Sequence, residues 1–102
     1  MQRKIIVPLP ANPTLAEFIS HHISRSHLSQ REIAKLCGFV RPNVVSMIRT
    51  GDTRLPLDRL GAMARAIDID PFELYCRFME EYYSETWREL RPLISRAAPP
   101  SP

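Results

Sequence analysis

Three histidines, two cysteines and a stretch without acidic residues are the places in this 102-residue chain where chemistry would first be sought. His21 and His22 are adjacent, with His27 close behind. Neighbouring residues of a helix point about 100° apart, so two adjacent imidazoles do not converge on one ion. No cysteine or carboxylate stands at ligand spacing to complete a site, and no metal is expected. Cys37 and Cys76 lack CxxC spacing and read as free thiols in a reducing compartment. No Ser-His-Asp order, phosphate-cradling glycine loop or paired carboxylates has supporting context. Neither an enzyme nor a cofactor is expected.

The acid-free stretch is more informative. No Asp or Glu lies between Glu32 and Asp52. Within it stand Arg41, Asn43, Val44, Ser46, Met47 and Arg49, slender or hydrogen-bonding side chains without negative charge. A surface that approaches phosphates needs that absence. The net charge of +3 sharpens when divided along the chain. Residues 1–54 hold eight Lys/Arg against three Asp/Glu, and residues 55–102 hold six against eight. A polyanion is therefore expected at the N-terminal half.

The elements that position these residues are helices. Hydrophobic residues make up 44% and charged residues 25%, as in an ordinary globular domain, and the length suits a single one. No apolar run approaches the roughly 18 residues of a membrane span. The opening MQRKIIVPLP, with three apolar residues before a proline, is not a signal peptide, and a cytoplasmic location is expected. Residues 1–12 read as a partly ordered basic arm, in which Ile5–Val7 is short and β-prone. Leu15, Phe18, Ile19 and Ile23 give a first helix from about Pro13 to Ser26. Ser29 and Glu32 form a capping box for a second, with Ile33, Ala34, Leu36 and Cys37 facing inward and Gly38 ending it. Pro42 opens a third, with Val45 and Ile48 as its core face and Gly51 as its end. Pro56 opens a fourth with the stripe Leu57, Leu60, Ala64 and Ile67, where Gly61 suggests the close approach of another helix. Asp70 and Pro71 open a fifth carrying Phe72, Tyr75, Phe78, Met79 and Tyr82. Residues 84–91 either continue it or start a sixth helix ending before Pro92. Ala97–Pro102 reads as a disordered tail. No strand pairs or internal repeats are expected over residues 13–91.

Two short helices joined by a tight turn with a glycine describe a helix-turn-helix, here the second and third. The run from Leu28-Ser29-Gln30-Arg31-Glu32-Ile33-Ala34 through Gly38, Val45-Ser46-Met47-Ile48, Gly51, Pro56-Leu57-Asp58-Arg59-Leu60 and Met63-Ala64-Arg65-Ala66-Ile67 to Asp70-Pro71 resembles the Cro/C1-type, or Xre, family of DNA-binding regulators. The resemblance covers roughly residues 14–75. It departs from the family pattern in one extra residue between Gly38 and Val45, in Val40-Arg41-Pro42 where a serine-type cap is usual, and in Arg49 where Glu is frequent. It implies an all-α, lambda-repressor-like five-helix bundle whose third helix enters the major groove of double-stranded DNA. Carried over, Ser29, Gln30, Thr50, Thr53 and Arg54 become phosphate contacts. Arg41, Asn43, Val44, Ser46 and Met47 become candidate base readers, with Arg49 making that edge more basic. Val44 and Met47 flank the packing stripe and equally suit the core.

The expected organisation is an arm (1–12), a DNA-binding domain (13–75), a helical extension (76–91) and a tail (92–102). Tyr75, Phe78, Met79, Tyr82, Tyr83 and Trp87, interleaved with glutamates, exceed what so small a core needs. They are expected to form a homodimer interface, since one half-site gives little specificity. The function expected is a repressor on an inverted-repeat operator, with no small-molecule ligand and no membrane. The alternative is an antitoxin or protein-interaction module, whose C-terminal helix occupies a toxin-like partner.

Overall fold

A computed structural model describes residues 5–97 of the chain, with side chains to residue 94. The described residues form no strand. Their elements are α1 (Leu15–Arg25), α2 (Gln30–Cys37), α3 (Asn43–Thr50), a 3-10 turn (Leu57–Arg59), α4 (Leu60–Ala66), α5 (Pro71–Tyr82) and α6 (Ser84–Ala97). The all-α expectation holds, with α1–α5 as a bundle and α6 beyond it.

The helix starts follow local chemistry. At α2, Ser29 Oγ accepts from the Glu32 amide at 3.1 Å, and Glu32 Oε1 accepts from the Ser29 amide at 2.9 Å. The same box opens α1, where Thr14 Oγ1 accepts from the Glu17 amide at 3.1 Å and Glu17 Oε1 from the Thr14 amide at 2.9 Å. Each satisfies two amides that the helix leaves without partners, and losing such a cap costs about 1 kcal/mol. A further α1 amide is satisfied from a distance, because Glu81 Oε1 of α5 accepts from Leu15 N at 2.7 Å. Asp70 Oδ1 accepts from the Phe72 amide at 3.1 Å and starts α5 on Pro71. Gly38 and Gly51 end α2 and α3 with φ of 76° and 82°, a region that side chains bearing a Cβ disfavour.

The core joins Phe18, Ile19 and Ile23 of α1, Ile33, Ala34 and Cys37 of α2, Val45 and Ile48 of α3, Leu60, Met63 and Ala64 of α4, and Leu74 and Phe78 of α5. Leu55, in the link before the 3-10 turn, is also buried. Burial pushes the Cys37 thiol up, which suits an inert core residue.

Several expectations need correction. Leu36, Leu57 and Phe72 are exposed. Leu36 points about 60° beyond the Ile33 edge of the Ile33–Cys37 arc, on the side away from Ala34. Leu57 belongs to the 3-10 turn, not to a helix starting at Pro56. Leu74 takes the inward position of the first turns of α5. No other helix approaches Gly61, where a Cβ would meet only Arg65 Nη1 at 3.4 Å. The sixth helix does not stop before Pro92 but runs through it to Ala97. Pro92 is exposed, so the proline sits at the surface of the helix rather than in packed structure. The expected tail is thus helical over 92–97, and its remainder, 98–102, lies outside the described residues, as do residues 1–4 of the arm.

The described part of the arm is neither helix nor strand, yet it is tied down. The Val7 amide donates to Ser24 Oγ at 2.9 Å, and Ser24 Oγ donates to the His21 carbonyl at 2.6 Å. His21 Nδ1 donates to the Val7 carbonyl at 2.6 Å. His22 packs edge-on against Phe18 with centroids 4.6 Å apart. Burial holds its basicity below the usual histidine value of 6.5, and His21 adds to the effect. Folded chains therefore bind this proton less readily than unfolded ones. The associated stability is complete above about pH 6.5 and lost as pH falls through the lower folded value. His22→Gln is expected to flatten the acid-side decline in melting temperature between about pH 7 and 5, as read by thermal denaturation. An unchanged decline would refute it.

Candidate nucleic-acid interface

The connection from α2 to α3 begins on Gly38. Its amide donates to the Lys35 carbonyl at 3.1 Å, and the Phe39 amide reaches back to the Ala34 carbonyl at 2.9 Å. The Arg59 guanidinium lies against this glycine, where a Cβ would meet Nη1 at 3.5 Å. A cation beside the C-terminus of α2 is favourable with the helix dipole. Val45 and Ile48 then pin α3 to the core.

That pinning decides which face of α3 is free. Asn43, Ser46, Met47 and Thr50 are all exposed and stand at i, i+3, i+4 and i+7, one continuous edge. Arg41 is exposed at the start of this edge. Thr50 Oγ1 is engaged locally, at 3.1 Å from the Met47 carbonyl and 2.8 Å from Asp52 Oδ2. Val44 lies off the edge and packs on the core, half-buried. Arg49 also turns away, its Nε donating to Ser20 Oγ of α1 at 3.1 Å. It acts as a strut between α3 and α1 rather than as part of the free edge.

The residues expected at phosphates are distributed around this helix. Ser29 is exposed but its hydroxyl caps α2, while Gln30 beside it is half-buried. Thr53 is half-buried and Arg54 exposed in the loop after α3. The Arg54 guanidinium stacks 4.3 Å above the Tyr82 ring. Burial, then Glu81, pushes the Tyr82 hydroxyl pKa up, and Arg54 opposes this. The expected site residues do not include Ser20 or Arg59, and they include Tyr82 only at the dimer interface, not as a support for Arg54. Nothing local in the sequence marks them, since each acts across the fold.

The six residues expected at a dimer interface separate. Phe78 and Trp87 are buried within the chain, at 3% and 6% exposure. Met79 and Tyr82 are half-buried on the core, and Tyr75 and Tyr83 are exposed. Among the described residues no group of His, Cys, Asp or Glu could hold a metal, and no helix is long and apolar enough to cross a membrane.

A glycine-ended helix, a short turn and a second helix with an exposed, acid-free edge together define a helix-turn-helix DNA-binding module. Residues 25–74 match the family described as helix-turn-helix. The chain belongs to the Cro/C1-type helix-turn-helix family, whose members are DNA-binding transcription regulators rather than enzymes. No curated protein and no solved structure matches it.

Proposed function

We propose that the chain is a cytoplasmic, sequence-specific repressor that binds an inverted-repeat operator as a pair of copies. The observation that carries this reading is the edge Asn43-Ser46-Met47-Thr50, exposed on a helix that Val45 and Ile48 fix to the core. Asparagine suits adenine, arginine at position 41 suits guanine, and the Met47 tip suits a thymine methyl. Ser29, Gln30, Thr53 and Arg54 hold the register on phosphates. Occupying the operator excludes polymerase, and no catalysis or small-molecule ligand is involved. The two shorter dimensions of the molecule, 32 and 30 Å, suit copies placed side by side on half-sites one turn of about 34 Å apart.

The test is a salt-titrated binding assay on the DNA upstream of the chain's own gene, against random DNA. Affinity for the upstream DNA should exceed that for random DNA and fall linearly with salt on logarithmic axes. Arg54→Ala should weaken all sequences alike and reduce the slope by about one. Equal affinity for both DNAs, or none for either, would overturn the repressor reading.

A second reading is an interaction module of the antitoxin kind, with DNA binding secondary. The exposed Tyr83, Leu90 and Leu93 near acidic Glu80, Glu81, Glu85 and Glu89 favour it. A stoichiometric protein partner, together with a toxin gene next door, would support it.

A further inference from the structure

α6 is attached to the bundle by its first turn and left open beyond it. Trp87 is its one buried residue among those whose side chains are described. Past Trp87 the helix shows Leu90, Leu93 and Ile94 at 38%, 56% and 37% exposure. Their spacing of i, i+3 and i+4 makes one apolar stripe. An exposed ion pair, Arg91 with Glu80 at 3.7 Å, also links this part to α5. Such pairs contribute little. The helix also contains Pro92. A helix this short is marginal alone in water, and an interior proline weakens it further. An apolar stripe on an otherwise poorly supported helix calls for a covering surface.

The charge order along α6 selects the cover. Ser84–Glu89 carries Glu85 and Glu89 with one arginine, whereas Leu90–Ala97 carries Arg91 and Arg96 and no acid. This order suits the single helix through its dipole. In a pair of identical helices it also selects orientation. Parallel copies set acidic start beside acidic start and basic end beside basic end. Antiparallel copies set each acidic start beside a basic end, with opposed dipoles. An antiparallel pair about a two-fold axis is also self-complementary, so the same stripe serves both sides.

We propose that α6 is a dimerisation helix that pairs antiparallel with α6 of a second copy through Leu90, Leu93 and Ile94. This deepens the paired-copy reading above and rests on it for its purpose, though the pairing itself is tested without DNA. It places the interface on α6 beyond Trp87, not on Phe78 and Trp87, which are buried in the chain's own interior.

The test is sedimentation equilibrium of the full chain at about 20 µM, with circular dichroism and thermal melting alongside. The wild type should be a dimer. Leu90→Glu and Leu93→Glu should each weaken association at least about 30-fold while the bundle's melting transition persists. At low salt E85R/E89R should weaken association about tenfold, and adding R91E/R96E should restore it. A monomeric wild type would overturn the proposal. So would dimers indifferent to Leu93→Glu, or a four-residue reversal that fails to rescue. If the wild type dimerises and L93E does not, yet neither prefers the upstream DNA, the operator reading fails and the pairing stands. If a monomeric wild type binds that DNA specifically, the pairing fails and the operator reading stands.

Discussion

Phe18→Ala should lower the stability of the fold by about 3–5 kcal/mol. The ring is 1% exposed in the middle of α1, where it meets the rest of the core. It is also held from two sides by polar groups. His22 packs edge-on against it, and the Arg77 guanidinium lies 4.1 Å above it. Removing the ring leaves a cavity and takes away the face on which Arg77 rests. Arg77 Nε is buried with no hydrogen-bond acceptor, 3.7 Å from Glu73 Oε1, so its placement depends on that stack. For a domain with roughly 5–15 kcal/mol of total stability the loss is a large share. A fall in melting temperature of more than about 12 °C is expected. Urea denaturation should show a lower midpoint at an unchanged slope. Phe18→Leu, which keeps most of the volume, should cost less than half as much. A loss below about 1 kcal/mol for the alanine variant would show that the surrounding helices close over the gap.

The second large effect concerns base preference rather than stability. Arg41→Ala and Asn43→Ala should each relax discrimination at one operator position by about 1–3 kcal/mol, or roughly 5- to 150-fold. Both residues are exposed, so melting temperature should stay within a degree or two of the wild type. The measurement is selection of bound sequences from a random pool, repeated for each variant, followed by competition with single-base changes. Arg54→Ala gives the contrasting pattern of uniform weakening. Variants of Arg41 and Asn43 that weaken every sequence equally would move these residues from base edges to phosphates. An unchanged preference would remove them from the interface.

Both predictions use positions that sequence pattern alone brings forward, and the reason is that they depend on local geometry. Ser29 and Glu32 are three residues apart, so the capping box is visible without any fold. The glycines at 38 and 51 mark helix ends because left-handed backbone is a property of single residues. Val45 and Ile48 declare the inward face of α3 by spacing, and the outward edge follows. What escapes is set by contacts between distant elements. Glu81 satisfies the first amide of α1 across 66 positions, and Arg49 finds Ser20 across 29. Neither residue looks structural in isolation, and Arg49 looks like a free cation. Apolar type is also a poor guide in helices of seven or eight residues. In so short an element the buried arc is narrow, and Leu36 falls outside it, while Leu57 stands in the 3-10 turn before α4 begins. Pro92 misleads for a related reason. A proline ends a helix most surely inside packed structure, and Pro92 is exposed.

The stack of Arg54 on Tyr82 bears on the entropy of complex formation. A solvent-facing arginine ordinarily samples many rotamers and loses that freedom when a phosphate fixes it. Arg54 already rests on an aromatic ring of α5, with its guanidinium 4.3 Å from the ring centre. Part of its ordering is therefore complete before any polyanion arrives. The ring that orders it ends the helix from which α6 departs, so the rigidity of this cation is inherited from the C-terminal half of the chain.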